Sequence, residues 1–168
     1  MPNFEGSLTS PNGRFAIVAS RFNALVTEAL LAGCKDTFAR VGVADDRLDV
    51  AWVPGSFEVP LIARQMAESG KYAAVITLGC VIRGETGHYD HVAGQAASGV
   101  MQASLSTGVP VIFGILTTDT VEQALNRSGL KSGNKGAEAA LSAIEMVNLL
   151  NKLRGSDGTK TFGFPGTT

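Results

Sequence analysis

The sequence contains little charge and no long apolar run. Of its 168 residues, 17% are charged and the formal net charge is −1, so the composition does not indicate a nucleic-acid-binding or acidic-membrane-binding surface. No window reaches the roughly 20 consecutive apolar residues that a membrane-spanning helix needs. The first ten residues also lack the basic and apolar segments of a secretory signal. We therefore expect a cytoplasmic protein with neither nucleic-acid nor membrane partners.

Cysteine is scarce as well. Cys34 and Cys80 are the two cysteines of the chain, and their separation does not fit a metal site. Each lies in an apolar segment, so we expect buried free thiols. The sequence also lacks a Walker phosphate loop and the glycine fingerprint of dinucleotide-binding folds. Nucleoside triphosphates and NAD are therefore disfavoured as ligands.

What the sequence does contain is a regular alternation of apolar and helix-like segments. This alternation predicts an α/β fold, in which a four-stranded parallel sheet is flanked by helices in a three-layer sandwich. We expect one domain over residues 1–154 and a polar, Gly/Thr-rich tail over residues 155–168. The predicted strands are 14–20, 48–53, 72–82 and 111–116, and the predicted helices are 24–41, 61–69, 86–105, 120–127 and 137–153.

Several local signals refine this outline. Asn23 is the expected N-cap of the first helix, and Asp119 with Glu122 is similar to a capping box. Residues 3–8 could form an edge strand in this chain or in a neighbouring subunit. The mean hydropathy of +0.16 is high for so weakly charged a chain. Surplus apolar surface is typical of subunit interfaces, so we expect an oligomer.

Residues 78–92, LGCVIRGETGHYDHV, form the candidate functional centre. They combine the end of a buried strand, a glycine-punctuated loop and the start of a helix. Parallel sheets bind ligands at the carboxyl ends of their strands, and helix N-termini favour anions. His88 would place a proton-transfer group beside such a site. A histidine at a helix start more often has a structural role, but this neighbourhood favours catalysis. Zinc is disfavoured, since His88 and His91 lack a suitable third ligand.

Each of the other candidate residues has a structural and a functional interpretation. Phe22 lies in a strand-to-helix loop, where an aromatic ring is more often a packing plug than a ligand platform. Glu58 is at least as well explained as a helix-start acid favoured by the helix dipole. Arg127, Lys131 and Lys135 could offset a helix dipole at its C-terminal end or neutralise a phosphate.

Five segments of the chain occur in the order and spacing of a known family. They are RFN at 21–23, VPGSFEVP at 53–60, GCVIRGETGHYD at 79–90, GVPVIFGILTTD at 108–119 and NKGAEAA at 134–140. Together they closely resemble the lumazine synthases, which catalyse the penultimate step of riboflavin biosynthesis. The resemblance covers roughly residues 1–153 and implies a flavodoxin-like fold. Five separate motifs at matching spacing make it specific.

The resemblance implies a condensation of 5-amino-6-(D-ribitylamino)uracil with 3,4-dihydroxy-2-butanone 4-phosphate. The products are 6,7-dimethyl-8-ribityllumazine, phosphate and water, and no metal or organic cofactor takes part. The family forms pentamers, and some members assemble twelve pentamers into a shell. The short segment at 129–136 is similar to that of shell-forming members, so we expect a 60-subunit particle, with riboflavin synthase as its candidate cargo.

The resemblance also implies roles for residues in the pyrimidine site. Phe22 would stack on the pyrimidine ring, and the Glu58 carboxylate would help to hold the uracil and its ribityl chain. Further contacts with this substrate would come from the backbone of Ser56, Phe57, Cys80, Val81 and Ile82.

For the second substrate, Glu85 and Thr86 would hold the phosphate at the helix start, and Arg127 would pair with it. A glutamate beside a phosphate fits this role only if backbone N–H groups bind the anion and the carboxylate points away. His88 would transfer protons, and Glu138 would orient its imidazole. Two more residues would lie close to the substrates, namely Phe113 from an adjacent subunit and Lys135.

Two rival interpretations remain. A flavodoxin-like module could bind flavin mononucleotide at the same strand ends. Alternatively, a shell protein could keep the architecture without catalysis, although the joint presence of Phe22, Glu58, His88 and Arg127 argues against this.

Overall fold

Four apolar strands form one parallel sheet at the centre of the protein. The structure is a computed structural model that describes residues 1–156. Its strands are β1 (Arg14–Ser20), β2 (Leu48–Val53), β3 (Tyr72–Ile82) and β4 (Val111–Thr118), in the spatial order β2-β1-β3-β4. The central strands β1 and β3 are buried along most of their length, which explains their nearly continuous apolar sequences. The predicted α/β class, with a four-stranded parallel sheet in the flavodoxin-like order, is confirmed.

Helices cover both faces of the sheet. The helices are α1 (Ala24–Val41), α2 (Val59–Glu68), α3 (His88–Thr107), α4 (Val121–Arg127) and α5 (Lys135–Ser156), and a 3₁₀ turn covers Asp45–Arg47. The helices α1 and α5 bury one apolar core against the sheet, and α2 and α3 bury a second core on the opposite face. This arrangement is the expected three-layer sandwich. Among the helices described, none combines the length and apolar sequence needed to cross a membrane.

Of the two predicted helix caps, the one at α1 is at the predicted residue and the one at α4 is not. Asn23 is the N-cap residue of α1, as predicted, but it adopts a left-handed conformation with φ of 59°, and its side chain makes no capping hydrogen bond. It donates instead to a carbonyl oxygen of β3. At α4 the cap lies one residue later than predicted, because the Thr120 hydroxyl accepts from the backbone N–H of Gln123. The Gln123 side chain in turn accepts from the backbone N–H of Asp119, so Thr120 and Gln123 form the box.

Helix α5 begins two residues earlier than predicted, because Asn134 caps it. The Asn134 Oδ1 atom accepts from the backbone N–H groups of Gly136 and Ala137. Its Nδ2 donates to the carbonyl oxygen of Ala29 in α1 at 2.9 Å. One side chain therefore starts α5 and fastens it to α1.

The N-terminal segment, residues 1–13, contains no strand in this chain, so the predicted edge strand at 3–8 does not form within the chain. The segment lies along α5, where Asn148 Nδ2 donates to the carbonyl oxygens of Ser7 and Thr9. Pairing with a neighbouring subunit stays a prediction. Helix α5 continues to Ser156, two residues into the predicted tail, and residues 157–168 of that tail lie outside the described part of the chain.

Helices α1 and α5 approach each other closely at Gly136. A Cβ at Gly136 would overlap the carbonyl oxygen of Leu30, whereas a Cβ at Gly94 in α3 would meet nothing within 4 Å. The Gly136→Ala change should force the two helices apart, at a typical overpacking penalty of about 1–3 kcal/mol or more. In a thermal melt we expect a midpoint several degrees lower, given about 2–4 °C per kcal/mol for a domain of this size.

The matched control is Gly94→Ala, which makes the same chemical change inside a helix without a clash in the chain. It should keep or raise the midpoint, since alanine favours helix by about 1 kcal/mol over glycine. Equal midpoints for the two variants would contradict the close-packing argument.

Candidate functional site

The carboxyl ends of β1, β2 and β3 open into a cavity of about 680 Å³, which we call cavity A. Strand order reverses between β1 and β3, and ligands in open α/β sheets bind at such a reversal point. Most of the residues predicted for the site line this cavity: Phe22, Ser56, Phe57, Glu58, Cys80, Val81, Ile82, Thr86 and His88. The structure therefore brings these nine predicted residues together around one cavity.

The turn between β1 and α1 is held so that Phe22 faces solvent. The backbone N–H groups of Arg21 and Phe22 donate to the carbonyl oxygens of Val53 and Pro54 at 2.8 and 3.0 Å. Asn23 Nδ2 donates to the carbonyl oxygen of Cys80 at 2.9 Å. The Phe22 side chain is left 70% exposed at the wall of cavity A. Within one chain, Phe22 therefore does not act as a packing plug.

Beyond β2, the chain presents a carboxylate and a buried hydroxyl to the cavity. Glu58 occupies the N-cap position of α2, but its side chain makes no capping hydrogen bond, so its carboxylate is exposed in the cavity wall. Ser56 is 5% exposed, and its hydroxyl has no hydrogen-bond partner in the described part of the chain. A Cβ at Gly79 would lie 2.6 Å from that hydroxyl, which explains why β3 carries glycine there.

His88 is the first residue of α3 and lines cavity A. Its backbone N–H donates weakly to the Thr86 hydroxyl at 3.4 Å, and its side chain is exposed. Glu85 is exposed and is not a lining residue, which agrees with binding of an anion by backbone groups rather than beside this carboxylate. Within residues 1–156, no group of three or more His, Cys, Asp or Glu side chains could hold a metal ion.

A second cavity, cavity B, lies along β4, at the edge of the sheet. It has a volume of about 540 Å³ and is lined by Phe113, Arg127 and Lys135 together with Gln123 and residues 114–118. Cavities A and B share no lining residue. The structure thus divides the predicted site residues of one chain into two sets.

Glu138 belongs with the second set, because its carboxylate pairs with Lys135 on α5. Phe113 is 43% exposed in the wall of cavity B. Within residues 1–156 of one chain, no hydrogen bond or ion pair joins Glu138 or Arg127 to His88. Their expected cooperation with His88 is therefore not formed inside a single subunit.

Comparison with known proteins agrees with this geometry. The sequence profile of the 6,7-dimethyl-8-ribityllumazine synthase family matches residues 12–151. The chain belongs to the 6,7-dimethyl-8-ribityllumazine synthase family. It is a transferase of riboflavin biosynthesis with lumazine synthase activity. Membership of this family implies small-molecule substrates and an oligomeric assembly. Both cavities fall inside the matched region.

Several lining residues of the two cavities were not predicted as site residues from the sequence. His91 and Val92 line cavity A, and their spacing of three and four residues from His88 on one helix could have revealed them. Gln123 lines cavity B, one turn before Arg127 in α4, which is again a helical spacing. The role of Asn23 as a donor to β3 had no local signal, because its acceptor lies 57 residues away.

The two thiols are buried and free, as expected. Burial raises the pKa of Cys34 to about 12 and the pKa of Cys80 to about 11. A thiol must ionise to react with alkylating reagents. The pKa shifts therefore make both groups weak nucleophiles near neutral pH, although Cys80 lines cavity A.

This predicts slow alkylation of the folded enzyme. At pH 8, iodoacetamide should modify Cys80 on the order of a hundredfold more slowly than an unfolded cysteine, because its thiolate fraction is that much smaller. Peptide mass spectrometry of native and guanidinium-unfolded samples would measure both rates. A native Cys80 rate equal to the unfolded rate would contradict the prediction.

The raised pKa values of the two thiols also make the stability of the fold depend on pH. The folded pKa values are raised, so the thiols favour the folded state below the unfolded pKa. Above about pH 8.5 the unfolded thiols ionise first, and the free energy of unfolding should therefore decrease as the pH rises towards 11–12.

Proposed function

We propose that the enzyme condenses 5-amino-6-(D-ribitylamino)uracil with 3,4-dihydroxy-2-butanone 4-phosphate to give 6,7-dimethyl-8-ribityllumazine, phosphate and water, without a metal or organic cofactor. The observation that carries this proposal is the division of the site residues between two cavities. Cavity A contains an exposed aromatic ring, a carboxylate and an imidazole, and cavity B contains Arg127 and Lys135. The first set suits a polyhydroxylated heterocycle and the second suits a phosphate.

The pyrimidine would occupy cavity A. The exposed ring of Phe22 offers a stacking surface for a planar heterocycle, and the Glu58 carboxylate can accept hydrogen bonds from ribityl hydroxyls. The ends of β1 to β3 supply backbone groups for the polar edge of the ring, at Ser56, Phe57, Cys80, Val81 and Ile82. The Asn23–Cys80 hydrogen bond supports this arrangement because it fixes the Phe22 turn against β3.

The butanone phosphate would bind where the α3 N-terminus meets a cationic wall. The first N–H groups of a helix favour an anion, and Thr86 adds a hydroxyl at the same end. A guanidinium such as Arg127 can grip a phosphate through two hydrogen bonds. It would also stabilise the charge that develops as phosphate leaves.

His88 would move the protons. The amine attacks the ketone, water and phosphate leave, and a second condensation closes the ring, so each stage transfers protons near neutral pH. An imidazole can both accept and donate a proton, which suits that task. Holding both substrates in one site would supply further acceleration, because the uncatalysed reaction is a bimolecular encounter. Glu138 would orient the imidazole.

Since Arg127, Lys135 and Glu138 lie apart from His88 in one chain, we propose that cavity B of one subunit completes cavity A of its neighbour, with Phe113 and Glu138 arriving alongside. Exposed apolar side chains on α2 and α3, among them Leu61, Met101 and Leu105, support such an interface. We propose a pentamer as the smallest complete unit and a 60-subunit shell as the assembly. Native mass spectrometry should then give about sixty times the chain mass of 17.4 kDa.

A shell could enclose riboflavin synthase, which would consume the product. The buried, unpaired thiols are consistent with work in the reducing cytoplasm.

Direct assay tests the reaction. Purified protein mixed with both substrates should form lumazine, followed by its absorbance, faster than a protein-free control. His88→Ala should assemble normally but lose about 10²–10⁴-fold in rate, the usual contribution of a general acid–base group. An assembled wild type without acceleration would instead indicate a binding or shell role. Undiminished turnover by His88→Ala would remove the imidazole from the mechanism.

Mixed assemblies test whether two subunits share each site. His88→Ala and Arg127→Ala subunits, each weakly active alone at low butanone phosphate, should regain activity when co-expressed in equal amounts. If every site takes His88 from one subunit and Arg127 from the next, about a quarter of the sites are intact. The control pairs His88→Ala with the double variant, where no site recovers the imidazole. Recovery no greater than in this control would mean that both residues act within one chain.

A further inference from the structure

Arg83 lies where β3 ends and contacts two separate parts of the chain. Its backbone N–H donates to the carbonyl oxygen of Thr118, the last residue of β4, at 2.8 Å. Its guanidinium pairs with Asp119 at 3.0 Å and with Asp90 at 3.3 Å. The guanidinium carbon lies 4.1 Å from the centre of the Tyr89 ring, within the range of a cation–π contact.

The contacts with Tyr89 and Asp90 act on the first turn of α3. His88 precedes these two residues, so the three share one helical turn. That turn is also held by the packing of Tyr89 against the core of α2 and α3 and by the long hydrogen bond from the His88 backbone N–H to the Thr86 hydroxyl. Gly84 and Gly87 precede it, and the N-cap residue Gly87 has no side chain to cap it. First-turn N–H groups also lack partners inside the helix.

The contact with Asp119 leads to cavity B. The Asp119 backbone N–H donates to the Gln123 side chain at 2.8 Å, and Gln123 lines cavity B. Tyr89, on the other side of Arg83, lines cavity A. A continuous series of direct contacts thus connects the walls of the two cavities.

We propose that Arg83 is a positioning residue, which fixes the first turn of α3, and with it the His88 imidazole, against the loop that starts α4 beside cavity B. A small displacement of a catalytic group can cost about 10²-fold in rate, whereas an exposed ion pair adds little to stability. Loss of Arg83 should therefore reduce turnover far more than stability. The kinetic part of this inference rests on the proposed function, and the structural part does not.

The test compares Arg83→Gln with Arg14→Gln in the assembled protein. Arg14 is a matched control, because it is also 44% exposed and is paired with an aspartate, Asp49, at 2.7 Å. It lies at the amino end of β1, away from the strand ends that form cavity A. Both variants should assemble and should melt within a few degrees of the wild type.

Hydrogen exchange gives a readout that needs no activity. In Arg83→Gln, amides of residues 84–92 should exchange about tenfold faster, because the helix start opens more often. In Arg14→Gln, the same peptide should exchange at the wild-type rate. Unchanged exchange of this peptide in Arg83→Gln would overturn the proposal, whether or not the protein makes lumazine.

Steady-state kinetics then distinguishes a loss of positioning from a general loss of stability in the Arg83 variants. Arg83→Gln should lower kcat by about 10–100-fold and leave the KM for the pyrimidine within about threefold. Arg83→Lys, which keeps the charge but lacks the fork of donors, should recover part of kcat. Arg14→Gln should match the wild type. Equal kcat values for the two glutamine variants would contradict the proposal.

A double-mutant cycle tests whether the effect passes through the imidazole. Adding Arg83→Gln to His88→Ala should cost almost nothing further, since the group to be positioned is already absent. Additive losses would show that Arg83 acts elsewhere. If Arg83→Gln fails to assemble, Asp119→Ala removes the side-chain acceptor that links Arg83 to the start of α4. It should show the same faster exchange and lower kcat, and wild-type values for both would refute the proposal.

Discussion

The shape of cavity A depends on the hydrogen bond from the Asn23 side chain to the carbonyl oxygen of Cys80. It joins the turn after β1 to the end of β3, the two central strands between which the strand order reverses. Asn23 makes this contact with its backbone in a left-handed conformation, which costs a non-glycine residue about 1–2 kcal/mol. Because the turn is fixed in this way, the Phe22 ring lies at the cavity and is not buried in the core. The strain lies at the functional site, as is common.

The sequence predicted the sheet closely, because strands buried on both faces appear as continuous apolar runs rich in β-branched residues. The prediction failed at caps and edges, where several polar residues compete for the same role. Asn23 satisfies a distant strand instead of its own helix, and Thr120 replaces Asp119 as the α4 cap. Such choices depend on acceptors brought close by the fold, which no local pattern contains.

The grouping of the cavity A residues could be predicted from the sequence, whereas the separate position of the cavity B residues could not. Residues at strand ends necessarily gather at one edge of a parallel sheet, so Phe22, Glu58 and His88 could be grouped from the sequence. Arg127 and Lys135 follow the edge strand β4, and the structure gives them a cavity of their own. Motif order alone cannot indicate that two groups of residues face different directions. If adjacent subunits share each site, folding of one chain and completion of its chemistry are separate events.

The N-terminal segment is held on α5 largely through its backbone. Asn148 and Lys152 donate to carbonyl oxygens of Ser7, Thr9 and Glu5, groups that every amino acid carries. A steric limit exists at Gly6, where a Cβ would overlap the backbone of Glu145. The docking of Glu5, Ser7 and Thr9 therefore depends little on the identity of their side chains. A designer could recode residues 1–5 for labels or affinity sequences while leaving Gly6 and the α5 donors in place.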